Sequence, residues 1–217
     1  MPQATATDLI DQPALGASLR ALARRGEIRR YRRDTLLITE GELGDTLFVI
    51  LAGRLRSFAA GDGGREITYG VYGPGEYLGE MSLDGGPRSA NVITLEPSVC
   101  AVVTRQTLQA HIAEHPQFAF ELLAKVIRRA RAATLSAKQL ALNDVYGRLV
   151  LLLNGLAQAR PDGTRAIDGH LTHREIAGHL GCSREMVSRL MKDLERGGYV
   201  RAQGPALVLA RALPARW

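Results

Sequence analysis

Only two cysteines, Cys100 and Cys182, occur in the 217 residues. A disulfide framework and a four-thiolate metal site are thereby excluded, and both thiols are expected to be buried and reduced. No apolar run approaches the ~20 residues that cross a bilayer, so no membrane partner is expected. The opening residues, Met1-Pro2-Gln3-Ala4-Thr5-Ala6-Thr7-Asp8, lack the basic and apolar regions of a secretory leader. The cytoplasm is the expected location. Histidine is also scarce, at five residues: His111, His115, His170, His173 and His179. None falls among the predicted strands, so a cupin-like metal oxygenase lacks its ligands. His111 and His115 have the i, i+4 spacing of a metal pair but no third ligand, and are expected on a helix surface. No metal site is expected. The glycine-rich turns do not spell a Walker loop, and Ser82 sits in no nucleophile elbow, so the chain is not expected to be an enzyme.

What the sequence does contain is unevenly distributed charge. Residues 1–116 carry 12 basic and 14 acidic side chains, a net of −2. Residues 117–143 carry 5 and 1, and residues 144–217 carry 11 and 7, each a net of +4. A near-neutral first half before a basic second half suggests a nucleic-acid partner late in the chain.

From Thr35 to Val103 the pattern is that of short strands. Runs such as Thr46-Leu47-Phe48-Val49-Ile50-Leu51 and Ile67-Thr68-Tyr69-Gly70-Val71-Tyr72 are rich in β-branched and aromatic residues. Glycine turns separate them at Gly41, Gly53, Gly61-Asp62-Gly63-Gly64, Gly73-Pro74-Gly75 and Asp84-Gly85-Gly86-Pro87. Such spacing predicts a sandwich or barrel. Pro116 to Asn143 then contain no glycine and no further proline. Phe120, Leu123, Ile127, Ala130, Thr134, Ala137 and Ala141 recur there at helical spacing along one seam. A long small-residue seam flanked by Arg128, Arg129, Arg131 and Lys138 predicts a helix packed against a symmetry mate. A second helix is predicted over 145–159, ending at Arg160-Pro161-Asp162-Gly163. Two closely spaced helices follow, and then two short strands near Val200 and Ala206-Leu207-Val208-Leu209. The fold class is therefore α+β: a β-rich domain over 1–116, a central helix over 117–143 and a small α/β domain over 144–217.

Thr172-His173-Arg174-Glu175 is a capping box that opens a helix, with Ile176, Ala177 and Leu180 on its buried face. Gly181 permits a sharp turn and Ser183 caps the next helix, whose inner face is Val187, Leu190, Met191 and Leu194. Arg184, Glu185, Ser188 and Arg189 are left outside, in the first two turns. A recognition helix needs that arrangement: apolar anchors inside and groove-reading side chains at its N-terminal end. Arginine can grip guanine through two hydrogen bonds, glutamate can accept from cytosine, and Thr172 and Ser183 can hold phosphates. Composition alone fits an ordinary solvated helix face equally well.

A second constellation is Gly79-Glu80-Met81-Ser82 followed by Pro87-Arg88-Ser89-Ala90. A glycine leading into a short helical turn offers backbone amides to an anion. Arg88 could neutralise a cyclic phosphate, Ser89 could hydrogen-bond it, and Glu80 could accept from a ribose hydroxyl. Read without relatives, the same residues also make ordinary turns, with Arg88 paired to a nearby acid.

The stretch from Thr172 to Arg189, with its Gly181-Cys182-Ser183-Arg184-Glu185 core, resembles the helix-turn-helix of the Crp/Fnr regulators, and most of all its cAMP-responsive branch. Gly79-Glu80 with Pro87-Arg88-Ser89-Ala90 resembles the phosphate cassette of cyclic-nucleotide domains. The likeness runs from about Leu36 to Leu209. It implies a jelly-roll-like, cyclic-nucleotide-binding β-roll, a dimerisation helix and a winged helix-turn-helix. It further implies a homodimer on double-stranded DNA with TGTGA-like palindromic half-sites, read by Arg184, Glu185 and Arg189. RNA polymerase is a further candidate partner, at the Arg160–Gly163 turn. The implied effector site is Gly79, Glu80, Met81, Ser82, Arg88 and Ser89, with Thr134 from the central helix. In the cAMP-responsive branch a Thr-Ser pair reaches the adenine where this chain has Ala133-Thr134, leaving Thr134 alone. Cyclic AMP is the first expectation, with cyclic GMP, cyclic di-GMP or no nucleotide as alternatives. An iron–sulfur sensor would need a cysteine cluster, and a haem sensor axial ligands, that this β-roll lacks.

Overall fold

The computed structural model describes residues 5–61, 65–161 and 163–214. Met1-Pro2-Gln3-Ala4, Asp62-Gly63-Gly64 of the third predicted turn, Asp162 and Ala215-Arg216-Trp217 lie outside the described residues. The chain divides into two compact units. One comprises Met1–Ala59 with Tyr69–Ala130, the other Ala60–Thr68 with Arg131–Trp217.

Short helices α1 (Ala6–Ile10) and α2 (Ala17–Ala23) precede eight strands, which belong to the first unit but for Ala60 and Glu66–Thr68. These are β1 (Glu27–Tyr31), β2 (Leu36–Ile38), β3 (Thr46–Ala52), β4 (Leu55–Ala60), β5 (Glu66–Tyr72), β6 (Tyr77–Leu78), β7 (Asn91–Thr94) and β8 (Ser98–Thr104). They form two four-stranded sheets, ordered β1-β8-β3-β6 and β2-β7-β4-β5. The period-2 alternation of β3 and β8 explains the layering. Leu47, Val49 and Leu51 of β3, with Val99, Ala101 and Val103 of β8, join one apolar cluster with Leu19 and Leu22 of α2. Phe48 and Ile50, with Cys100 and Val102, face the other way, into a cluster with Ile38, Leu55, Leu78 and Val92. Both central strands are thus buried on both faces, which is why their sequences are almost continuously apolar.

Strand β1 lies before the segment read as β-structure. Its residues Glu27-Ile28-Arg29-Arg30-Tyr31 pair antiparallel with β8, from Glu27 opposite Val102 to Tyr31 opposite Ser98. It is an edge strand, where charged side chains are tolerated because one side faces water. That charge hides it from an apolar-pattern reading.

Helix α3 (Arg105–Glu114) starts at an N-cap, where the Thr104 hydroxyl accepts from the Thr107 amide. It corrects the histidine expectation. His115 is exposed, but His111 is fully buried beside Leu108 and Phe118. The i, i+3 relation of Leu108 and His111 puts both on the helix's inner face, so the histidine follows its apolar neighbour inward. Its ring packs 4.7 Å from that of His115, and among the described residues neither of its nitrogens has a hydrogen-bond partner.

Helix α4 (Gln117–Leu142) spans 26 residues, about 39 Å at 1.5 Å per residue. Phe118 anchors its first turn in the core. Phe120, Leu123 and Ile127 are 66%, 53% and 41% exposed, and Ala130, Thr134, Ala137 and Ala141 are exposed as well. The predicted seam therefore faces away from the chain's own core. Among the described residues no helix is long and apolar enough to cross a membrane, and no group of three or more histidine, cysteine or acidic residues could hold a metal ion.

The second unit holds α5 (Val145–Leu156), β9 (Gln158–Ala159), β10 (Arg165–Ile167), α6 (His173–Leu180), α7 (Arg184–Arg196), β11 (Val200–Gln203) and β12 (Ala206–Leu209). Helix α5 ends three residues before the expected Ala159, because Gln158 and Ala159 pair with Ala166 and Arg165 of β10 instead. The sheet order is β11-β12-β10-β9. Tyr146, Leu149 and Leu153 of α5 meet Ile176 and Leu180 of α6 and Val187, Met191 and Leu194 of α7 in one cluster. Burying one such leucine contributes about 1.5–3 kcal/mol.

Candidate functional site

Two places gather the residues singled out by sequence. In the first unit Gly79 adopts φ +96° and leads into a 3-10 turn over Glu80–Ser82. A side chain at Gly79 would be strained there, and its Cβ would lie 2.5 Å from the Thr46 carbonyl oxygen and 2.8 Å from Arg88 Nη1. A Cβ on Gly44 would come within 2.7 Å of Arg88 Nε. The two glycines thus make room for one guanidinium. Arg88 is 7% exposed. Its Nη1 donates to the Gly79 carbonyl (2.9 Å), and its Nη2 donates to the Thr46 carbonyl (3.0 Å) and to Thr46 Oγ1 (2.9 Å).

Among the described residues no carboxylate forms an ion pair with Arg88. Burial disfavours its charged form, and only the fields of Asp45 and Glu80 act in the other direction. A buried cation held by neutral carbonyls keeps its charge uncompensated, a chemistry that suits an anion.

Glu80 supplies the second part. Its side chain is buried and one oxygen, Oε1, pairs with Arg129 of α4. The other, Oε2, is buried with no partner. A carboxylate oxygen placed in this way has the capacity to accept from a hydroxyl. Arg129 also donates to the Tyr77 carbonyl (2.7 Å) and lies over the Tyr72 ring, 4.8 Å from its centroid. Lys125 lies 4.2 Å from the Tyr77 ring centroid and 3.7 Å from Glu76. Burial, the largest influence on the Tyr77 phenol, pushes it up to about 12, so it stays protonated at neutral pH.

Arg129 is the residue that sequence reasoning missed. The pattern set it among cations flanking the seam, whereas it turns inward to Glu80, 49 positions away in the chain. Ser82 is buried, and its hydroxyl already donates to the Gly44 carbonyl (2.7 Å), stapling the turn. Met81 and Ser89 are exposed. Thr134 belongs to the second unit rather than to that of the cassette.

In the second unit the helix-turn-helix forms as its caps dictate. The Thr172 side chain accepts from the Glu175 amide while the Glu175 carboxylate accepts from the Thr172 amide, a complete capping box. Gly181 ends α6 at φ +65°, and the Ser183 side chain accepts from the Met186 amide to start α7. Arg148 ties α5 to the end of α6 by donating to the Leu180 carbonyl (3.1 Å). Val187, Met191 and Leu194 are buried, whereas Ser183, Arg184, Glu185, Ser188 and Arg189 are exposed and Thr172 is half-buried. Arg184, Glu185, Ser188 and Arg189 lie on the outer side of the first two turns of α7, and Ser183 is its N-cap. Cys182 in the turn is only partly buried, while Cys100 is fully so. Burial pushes the Cys100 thiol up to about 12.

Comparison with known proteins agrees with this division. Residues 28–115 match the cyclic nucleotide-binding domain family, and residues 147–212 match the Crp-like helix-turn-helix domain family. A cyclic AMP receptor protein of Thermus thermophilus is 34% identical over 84% of this chain and 83% of its own length. A CRP-like cAMP-activated global transcriptional regulator of Mycobacterium tuberculosis is 29% identical over 89% of this chain and 88% of its own. Among solved structures, the c-di-GMP responsive global regulator CLP of Xanthomonas campestris superposes with a TM-score of 0.76 at 27% identity, covering 88% of this chain and 97% of that one.

Proposed function

Given that this chain belongs to the Crp/Fnr family of cyclic-nucleotide-binding transcription regulators, we propose that it is a homodimeric, cyclic AMP-responsive reader of palindromic TGTGA-like DNA sites. The observation that carries the effector half is the Arg88 cradle beside the unpartnered Glu80 Oε2. Arg88 neutralises the cyclic phosphate, with Ser89 and the Gly79–Ser82 turn around it. Glu80 Oε2 accepts from the ribose 2′-hydroxyl. Thr134 of α4 contributes to holding the base. In the other half, Arg184, Glu185 and Arg189 read base edges, with Ser188 beside them, while Thr172 and Ser183 hold phosphates. The exposed seam of α4 is the dimer surface, since a soluble chain rarely leaves such a stripe uncovered.

Nucleotide acts by shifting a population. It favours the dimer arrangement in which two α7 helices stand about 34 Å apart, one turn of DNA. Linkage then requires that DNA tighten nucleotide by the same factor. A regulator that reads chromosomal DNA works in the cytoplasm, and a contact with RNA polymerase at the Arg160–Gly163 turn belongs to the same proposal.

A second reading, cyclic di-GMP as effector, is favoured by one residue. Ala133 offers no hydroxyl to an adenine, and a relative of similar fold is c-di-GMP responsive. Calorimetric titration of the purified protein with cyclic AMP, cyclic GMP and cyclic di-GMP separates these readings. Tightest binding by cyclic AMP, strengthened by a TGTGA palindrome, is the expected result. Equal nucleotide affinity with and without that duplex would remove the mechanism.

A further inference from the structure

Ala60 at the end of β4, and Arg65 with Glu66–Thr68 at the start of β5, belong to the second unit, with the helix-turn-helix. Three contacts seat Glu66–Thr68 there. Glu66 pairs with Arg174 at the start of α6, at 3.8 Å. A Cβ placed on Gly178, in the body of α6, would lie 2.9 Å from Thr68 Oγ1 and 3.8 Å from Thr68 Cβ. A Cβ on Gly181 would lie 3.7 Å from Ile67 Cδ1. Gly178 is buried although α6 is a two-turn helix with polar residues at 173–175 and 179. Glycine is a poor residue for a helix interior, and close approach of another segment is the usual reason for keeping one.

The place is also adjacent to the reading face. Arg65 and Glu66 line one cleft with Arg174, Gly178, Ser183 and Arg184. With the Arg174 side chain largely exposed and the charges 3.8 Å apart, the Glu66–Arg174 pair contributes little by itself. The close packing at Gly178 therefore carries the joint.

We infer that Arg65–Thr68 is a positioning element of the DNA-reading head: Thr68, seated on Gly178, fixes α6 and through the Gly181 turn sets the presentation of Ser183 and Arg184. The inference rests on the proposed DNA-reading role of α7.

The test uses the full chain and three variants: Gly178→Ala, Thr68→Ala and the double variant. Alanine is the better helix former, so a purely local role for Gly178 predicts a more stable α6 and unchanged DNA binding. The joint predicts the opposite. Gly178→Ala weakens binding to a fluorescent TGTGA-palindrome duplex by about tenfold and speeds amide exchange in the peptide covering Arg65–Tyr72. Thr68→Ala in the same chain removes the clashing Oγ1, leaves an ordinary 3.8 Å contact, and restores both. Unchanged exchange in Gly178→Ala overturns the joint, as does full DNA affinity despite faster exchange. If the wild-type chain fails to bind the duplex, the DNA-reading proposal fails, and with it the positioning role.

Discussion

Arg88 and the pair Arg184 and Arg189 are all proposed to meet phosphates or bases, yet the fold treats them in opposite ways. Arg88 is buried, wedged between two glycines and fixed by the Gly79 carbonyl and both oxygens of Thr46. Arg184 and Arg189 stand exposed on α7, while only the helix beneath them is anchored. The difference follows from the ligand each would meet. A small anion must supply enough binding energy through a few contacts, so its site is organised before it arrives. A polyanionic duplex supplies many contacts and long-range attraction, so mobile side chains on a rigid helix suffice.

The contrast predicts unequal costs. Arg88→Leu should have the largest effect, lowering cyclic nucleotide affinity at least about a hundredfold, because it removes a desolvated, hydrogen-bonded charge. Calorimetry checks this; retention of wild-type affinity would mean that the buried guanidinium is purely structural. Next come Arg184→Ala and Arg189→Ala. Each should cost roughly 1–3 kcal/mol of DNA binding and relax preference at one base position. Binding measured across duplexes with single half-site substitutions tests that, and an unchanged preference profile would deny both residues a reading role. Ser183→Ala should cost ~1 kcal/mol of stability in urea unfolding through loss of the α7 cap. It should weaken DNA binding evenly across sequences rather than at one base.

His111 sharpens the comparison most gently, because it is buried like Arg88 but has no hydrogen-bond partner and no glycine cradle. Burial, followed by His115 and Arg25, lowers its pKa from the ordinary value, against the pull of Glu114 and Glu121. The unfolded chain therefore takes up a proton near pH 6.5 that the folded protein refuses. Stability is complete above that pH and falls as pH drops from there toward the lower folded value. His111→Leu should flatten this part of the profile and add about 1 kcal/mol at neutral pH by removing the partnerless ring nitrogens. Identical urea midpoints from pH 7.5 to 5 in both proteins would assign His111 no such role.

The legible parts of the molecule are those governed by neighbours in sequence. The Thr172–Glu175 capping box, the Ser183 cap, the sharp turn at Gly181 and the short helical turn after Gly79 are each set within four residues, and all were readable. So was the outer position of Arg184, Glu185, Ser188 and Arg189, because helical periodicity fixes faces. Strand β1 was not, since its charges suit an edge that only the sheet defines.

By itself the sequence determined the local chemistry: where the helices of the helix-turn-helix begin and turn, which residues face outward on α7, and where the apolar strands such as β3 run. Tertiary structure alone decided the partners. It brought Thr46 to Arg88 across 42 positions, Arg129 to Glu80 across 49, and Thr68 against Gly178. It also turned His111 inward. The physical reason is range: caps and dihedral preferences act within a turn of chain, whereas burial and ion pairing act between whatever surfaces the folded layers bring together.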